Sequence, residues 1–223
     1  MEAPAQSEPK VGEKAPDFRL AAAGGGEIAL SDFFGRKNLL LWFSKGLHCP
    51  FCRRNMARLS QAYAQFQGSD AEILQITHNT VEEANLYFRS YHLATPYLCD
   101  SDRQVHLRYG IALEQQAIGA VAANMVSSCL MVAGDLLLHG QKSPLPVVPI
   151  MRMGPRSQSA QMVVATDRAG VVRHVQRIGF RRCPPSRGCS RCLRHAFRCS
   201  KRRSGRLTAK ARPGSDAGCD AAF

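Results

Sequence analysis

Two cysteines, Cys49 and Cys52, have the residue type and spacing that most clearly allow chemistry in this chain. They are separated by Pro-Phe and directly follow the apolar run NLLLWF and a short linker. A cysteine is a nucleophile only as the thiolate, and its ordinary pKa of about 8.5 falls at a helix N-terminus beside cations. Cys52 meets both conditions, because it falls in the first turn of a predicted helix and precedes Arg53 and a second arginine.

The other cysteine of the motif can act as the redox partner of Cys52. Cys49 lies three residues before Cys52, where it can resolve an oxidised partner by forming a local disulfide. Zinc binding is an alternative, with His48, His78 and Cys99 as candidate ligands by residue type alone, and inert burial of two small residues is another. No second C-x-x-C occurs before residue 180. A buried strand, a C-x-x-C and a helix in this order favour redox chemistry.

Apolar runs and helical patterns alternate around this motif. The segments NLLLWFS (38–44) and AEILQITH (71–78) predict strands buried on both faces. A helix is predicted after each, the first with Pro50 in its opening turn and the second with a Thr80/Glu83 capping box. Such alternation predicts an α/β unit with parallel strands and right-handed crossovers.

The rest of the fold prediction concerns residues 97–178. YLCD predicts a third strand, DRQVHLRYG a short helix, and QMVVATDRAGVVRHVQRIG a late hairpin turning at 169–170. Residues 115–134 carry no charge, which invites a membrane-span interpretation. The glutamines, asparagine, serines and glycines within this stretch favour instead a buried or groove-covering helix inserted in the domain. We therefore expect a central mixed sheet flanked by helices, with a helical insertion before the last hairpin.

The charge of the chain is concentrated at one end. The 223 residues have a net charge of +13, and residues 181–223 contain twelve of the thirty basic residues and two of the seventeen acidic ones. The same segment holds five of the nine cysteines, including a Cys189, Cys192, His195, Cys199 group whose spacing is too tight for common zinc modules. We expect a flexible lead over 1–10, one domain over 11–180, and a tail over 181–223 that is disordered or frame-shifted.

Composition also bounds the cellular context. The first residues, MEAPAQSEPK, lack the basic and apolar regions of a secretory signal, which predicts a cytoplasmic protein without a membrane anchor. Because 45% of the residues are hydrophobic, a core can form without disulfide staples. Since the domain itself is nearly neutral, we expect no nucleic-acid partner for it.

Four blocks in order carry a family resemblance: VGEKAPDFRL, NLLLWFSKGLHCPFCRRNM, TPYLCDSDRQVHLRYGI and VVATDRAGVVRHVQRIG. Over about residues 11–179 the chain resembles the peroxiredoxin-like alkyl hydroperoxide reductase / thiol-specific antioxidant (AhpC/TSA) family, which has a thioredoxin-like fold. The resemblance implies a thiol peroxidase that reduces hydrogen peroxide or organic hydroperoxides. It implies a dithiol reductant such as thioredoxin or glutaredoxin and no metal or organic cofactor. A homodimer is one assembly compatible with it.

The resemblance also implies roles for individual residues. Cys52 falls nine residues after Phe43, the position of the peroxide-attacking cysteine, and Cys49 replaces a hydroxyl residue. Lys45 replaces the proline of typical members, and Gln161 lies near the place of their peroxide-binding arginine. The expected catalytic residues are Cys52 as the attacking and Cys49 as the resolving thiol, and the expected supporting residues are Arg53, Pro50 and Gln161.

Two other functions remain open at this stage. The missing Pro, Thr and Arg features favour a general thiol-disulfide oxidoreductase of thioredoxin type, in which Cys49 is the exposed attacking thiol. The basic tail favours a non-enzymatic binding protein whose redox site has lapsed.

Overall fold

The computed structural model describes residues 7–89, 94–115 and 157–178, together with single positions between 119 and 137. The regular elements, in chain order, are β1 (Arg19–Ala22), β2 (Glu27–Ala29), β3 (Asn38–Phe43), α1 (Pro50–Gln67), β4 (Ala71–Thr77), α2 (Val81–Phe88), β5 (Tyr97–Cys99), α3 (Gln104–Arg108), β6 (Leu113–Gln115), β7 (Ser157–Ser159), β8 (Gln161–Thr166) and β9 (Val172–Ile178). A single 3-10 turn, Leu30–Phe33, follows β2.

Seven of these strands form one mixed sheet in the order β2-β1-β5-β4-β3-β8-β9. The strands β3, β4 and β5 are parallel neighbours, whereas β1 and β8 join them antiparallel. The predicted alternation of strand and helix is confirmed, because α1 connects β3 to β4 and α2 connects β4 to β5. The late hairpin is confirmed as β8 and β9.

Strand β3 lies in the interior of the sheet, and its sequence explains why. Leu39, Leu41 and Phe43 pack into the hydrophobic cluster on one face. Leu40 and Trp42 pack into the cluster on the other face, where α1 contributes Met56 and Leu59. Since successive side chains of a strand point to opposite faces, a strand covered on both sides needs a continuous apolar run.

The two longer helices begin at the predicted residues. Pro50 is the first residue of α1, where a missing N–H leaves no hydrogen bond unmade. The Thr80 side chain accepts from the Glu83 N–H and the Glu83 side chain from the Thr80 N–H, which confirms the capping box of α2. These caps fix where each helix leaves the carboxyl edge of the sheet.

The charge-free segment, residues 115–134, begins in β6 at Gln115 and is helical at each of its other described positions, which are 119, 122, 126, 129, 130, 133 and 134. Val126 and Leu130 are exposed there, so the buried alternative is wrong at these two positions, whereas the groove-covering alternative stays a prediction. Residues 1–6 of the predicted lead and the whole predicted tail, 181–223, lie outside the described residues. No helix in the described part of the chain has both the length and the apolar character needed to cross a membrane.

A buried polar network holds the loop between β3 and α1. The Asn79 Oδ1 atom accepts hydrogen bonds from the Leu47 N–H at 2.9 Å and the Tyr97 hydroxyl at 3.0 Å. The Asn79 amide nitrogen donates to Glu83 Oε2 at 2.8 Å. Because Asn79 is 2% exposed, these bonds are shielded from competing water and fix the approach of the loop to α1.

Gly46 allows this close approach. Its φ of +84° lies in the left-handed region, and a Cβ at this position would overlap the Asn79 Oδ1 atom. Gly24 has a similar φ of +88° but has open space around the place of a Cβ. A substitution at Gly24 therefore adds backbone strain alone, whereas a substitution at Gly46 adds both backbone strain and a collision with Asn79.

We predict that Gly46→Ala lowers the free energy of unfolding more than Gly24→Ala does. Gly24→Ala should cost only the left-handed conformation, about 1–2 kcal/mol. Gly46→Ala should cost a further 1–3 kcal/mol, roughly, because displacing Asn79 leaves buried hydrogen-bonding groups without a partner. Urea unfolding of both variants measures the difference. Equal losses of unfolding free energy would contradict the role of Asn79 in holding the loop.

Candidate active site

The candidate site lies at the carboxyl edge of β3, β4 and β5. This edge leads into Cys49 after β3, His78 after β4 and Asp100 after β5. Gln161 begins the antiparallel strand β8, whose next residue, Met162, pairs with Phe43 at the end of β3. The fold thus brings four separate segments of the chain to one edge, where the C-x-x-C joins sheet and helix.

Cys49 is the N-cap residue of α1. Its φ of −89° and ψ of 108° are extended, and its sulfur accepts a hydrogen bond from the Cys52 N–H at 3.4 Å. A sulfur in this place faces the unpaired N–H groups and the positive end of the helix dipole. The residue is half-buried.

The surroundings of Cys49 favour its thiolate. Hydrogen bonding from the Cys52 thiol, the Cys52 and Phe51 N–H groups and the charge of Lys45 outweigh burial, so the pKa of Cys49 is lowered. A thiol with a lowered pKa is ionised to a larger extent at neutral pH. Cys49 therefore has the character of a nucleophile.

Cys52 has a different environment from Cys49. Its side chain is 0% exposed and packs in the interior beneath the first turn of α1. Both cysteines are reduced thiols, three residues apart at the start of α1. The structure brings the two expected catalytic residues together, and it makes Cys49 the more accessible of the two.

The three expected supporting residues lie around this pair. Pro50 supplies the first residue of α1, and the Arg53 N–H closes the first helical hydrogen bond to the Cys49 carbonyl at 3.1 Å. The Arg53 side chain is 7% exposed. Gln161 is 5% exposed, and its Oε1 atom has no hydrogen-bond partner among the described residues. Gln161 shares the edge of the site.

Lys45 is a functional neighbour that sequence reasoning noted only as a replaced proline. Its side chain is 7% exposed, and its charge lowers the pKa of Cys49. A lysine four residues before the first cysteine of the motif is a signal, but its effect depends on how the loop folds. The anchoring of this loop by Asn79 determines the distance between charge and thiol.

A second feature that the sequence did not reveal is a group of three histidines beside the thiols. The Nε2 atoms of His48 and His78 are 3.4 Å apart, and the rings of His78 and His106 have centroids 6.2 Å apart. His106 in turn contacts the Asp100 carboxylate. The three histidines are 30 and 28 positions apart in the sequence, so only the fold brings them together.

The zinc alternative has no support in the described residues. Within them, no group of three or more His, Cys, Asp or Glu side chains is arranged to hold a metal ion. The Cys189, Cys192, His195 and Cys199 group lies outside the described residues.

Comparison with known proteins identifies the family of the chain. The AhpC/TSA family matches residues 11–131, which include the cysteine pair. A Mycobacterium tuberculosis relative named as a peroxiredoxin is 26% identical over 124 residues, covering 56% of this chain and 78% of the relative. The thiol-disulfide oxidoreductase ResA of Bacillus subtilis is 28% identical over 142 residues, covering 59% of this chain and 78% of ResA.

Solved structures agree on the fold. The reduced 2-Cys peroxiredoxin of Plasmodium vivax superposes with a TM-score of 0.60 at 17% identity, covering 87% of this chain and 84% of that one. At this identity the likeness concerns the fold alone, and it confirms the thioredoxin-like fold expected from the sequence. Because the family match spans more than half of the 223 residues, the chain belongs to the AhpC/TSA family as a peroxiredoxin-like oxidoreductase with a thioredoxin-like fold.

Proposed function

We propose that this protein is a thiol peroxidase that reduces hydrogen peroxide or organic hydroperoxides with the Cys49/Cys52 pair. The observation that carries the proposal is the Cys49 sulfur at the N-cap of α1, half-buried and with a lowered pKa. A thiolate held against helix N–H groups is poised to attack an electrophilic oxygen. Family membership supplies the substrate class.

Cys49 attacks first in this proposal, and Cys52 resolves. The register of the family motif favours the opposite order, because Cys52 falls nine residues after Phe43. Accessibility and ionisation support our order, since Cys52 is 0% exposed whereas Cys49 is half-buried with a lowered pKa.

The electron balance needs no cofactor. The Cys49 thiolate attacks the terminal peroxide oxygen, the O–O bond breaks, and the other oxygen leaves as hydroxide or alkoxide and takes up a proton. The Cys52 thiol then attacks the sulfenic sulfur, releasing water and forming the Cys49–Cys52 disulfide. An external dithiol, such as thioredoxin or glutaredoxin, returns two electrons and two protons.

This chemistry involves only the domain over 11–180, in which Arg53, Pro50 and Gln161 support the pair. The tail over 181–223 has no part in it. We place the enzyme in the cytoplasm, where dithiol donors are kept reduced, and a homodimer is compatible with the site.

A second candidate is a general thiol-disulfide oxidoreductase of thioredoxin type. It is favoured by the likeness to ResA and by the arrangement of an accessible first cysteine and a buried second one in the same C-x-x-C. The two functions share the thiolate of Cys49 and differ in the electrophile that reaches it.

We predict that the reduced protein reacts with hydrogen peroxide or cumene hydroperoxide much faster than a free thiol does at the same pH. Stopped-flow measurement of oxidation, followed by recovery with thioredoxin, tests the peroxidase. A small-molecule disulfide is tested in parallel as the competing electrophile. Peroxide oxidation no faster than that of a free thiol, together with rapid disulfide exchange, would replace the peroxidase with the second candidate.

We predict that Lys45→Gln shifts the pH profile of peroxide oxidation to higher pH. The Lys45 charge lowers the pKa of Cys49, so its removal raises that pKa and the rate increases only at higher pH. Lys14→Gln is the matched control, because exposed Lys14 pairs with Val171 at the opposite edge of the sheet. An unshifted profile in Lys45→Gln would contradict the role of this charge.

A further inference from the structure

The histidine cluster, which we define as His48, His78 and His106 with Asp100, extends inward from the cysteine pair. His48 is the residue directly before Cys49 and is half-buried. Its Nε2 atom lies 3.4 Å from the Nε2 atom of His78, so one of these nitrogens carries the proton and the other accepts it. This contact joins the edge of the thiol site to the interior.

The inner end of the cluster is a buried pair. Asp100 and His106 are both 0% exposed, and the His106 Nδ1–H donates to Asp100 Oδ2 at 2.5 Å. The Asp100 carboxylate also accepts from the N–H groups of His106 at 2.8 Å and Val105 at 3.2 Å. Burial opposes ionisation of Asp100, but these donors outweigh it and lower its pKa, so it is a carboxylate.

Two buried ring nitrogens lie between the ends. The Nδ1 atom of His78 and the Nε2 atom of His106 are both inaccessible to solvent and have no hydrogen-bond partner among the described residues. The two rings meet edge to face at 6.2 Å between centroids. A buried nitrogen without a hydrogen-bond partner costs free energy, so its presence in a folded protein calls for an explanation such as a functional role.

The charges around the cluster keep its outer members neutral. Burial and the charge of Arg53 lower the pKa of His48 against the opposing effect of Glu83. Burial lowers the pKa of His78 to about 3, and the charges of His48, His106 and Arg103 add to this while Asp100 opposes it. A neutral imidazole between two others can pass a proton by exchanging tautomers without storing charge.

We propose that His48, His78 and His106 form a proton relay between Cys49 and the Asp100 carboxylate. The proton of the Cys49 thiol passes through His48 and His78 to the Nε2 atom of His106, whose Nδ1 atom contacts the Asp100 carboxylate. When the thiolate breaks the peroxide O–O bond, the same proton returns through His78 and His48 to the leaving oxygen. The sum is one thiol and one hydroperoxide giving a sulfenic acid and an alcohol. In this relay His48 delivers the proton, and His78, His106 and Asp100 act through it.

This inference rests on the proposed peroxidase, so its test uses two oxidants. An alkyl hydroperoxide releases a strongly basic alkoxide that needs a proton, whereas peracetic acid releases acetate, a weak base that does not. Both oxidants react with the same thiolate, so the ratio of their rate constants is independent of the ionised fraction of Cys49.

We predict that His48→Gln and His78→Gln each lower the rate constant for tert-butyl hydroperoxide by at least about tenfold, as loss of a general acid does. The rate constant for peracetic acid should fall much less, because acetate leaves without a proton. Stopped-flow oxidation of both reduced variants at pH 7 measures the ratio. His174→Gln is the control, since half-buried His174 lies on β9 outside the cluster.

Equal losses with both oxidants, or no loss with either, would overturn the relay. An effect in His48→Gln but not in His78→Gln would overturn it too, because the proton would then not travel inward. Wild-type protein inert to both oxidants would instead overturn the proposed peroxidase and, with it, the relay. Since His48 and His78 are only partly buried, neither substitution removes a fully buried side chain.

Discussion

The contact between the Cys49 sulfur and the N-terminus of α1 is the interaction on which the site depends. It places a polarisable, ionisable atom where a serine or aspartate would ordinarily cap a helix. The same contact satisfies an N–H group of the helix and stabilises negative charge on the thiol. Structure and reactivity are therefore coupled: ionising Cys49 strengthens the cap, and forming the cap lowers the pKa of Cys49.

The position of the Cys49 sulfur depends on the conformation of the loop between β3 and α1. The loop leaves β3, buried on both faces, and is held by Asn79 and by Gly46, where a larger residue would collide. Rigid placement matters because electrostatic effects fall off quickly with distance, and Lys45 acts on the thiol from within this loop. The polar network beneath the loop is thus part of the redox site, although it touches neither cysteine.

Local patterns in the sequence predicted much of the fold. NLLLWF gave the buried strand, Thr80 and Glu83 the cap of α2, and the C-x-x-C its place at the start of α1. The sequence places both thiols near the start of α1, but it does not show which of them is the N-cap residue, and the N-cap sulfur is the one that accepts from a helix N–H. The histidine cluster could not be predicted, since His48, His78 and His106 meet only through the pairing of β3, β4 and β5. The insertion was expected to be a buried or groove-covering helix because of its composition, and Val126 and Leu130 on it are exposed.

Trapping the sulfenic acid in single-cysteine variants tests the central claim, that Cys49 is the attacking thiol, most directly. Cys52→Ser and Cys49→Ser are each treated with one equivalent of hydrogen peroxide in the presence of dimedone, and the labelled peptide is identified by mass spectrometry. We expect a stable label on Cys49 in Cys52→Ser and an inert Cys49→Ser protein, because Cys49 caps the helix, is half-buried and has a lowered pKa, whereas Cys52 is 0% exposed. Label on Cys52 in Cys49→Ser, with Cys52→Ser inert, would contradict it and restore the order that the family register implies.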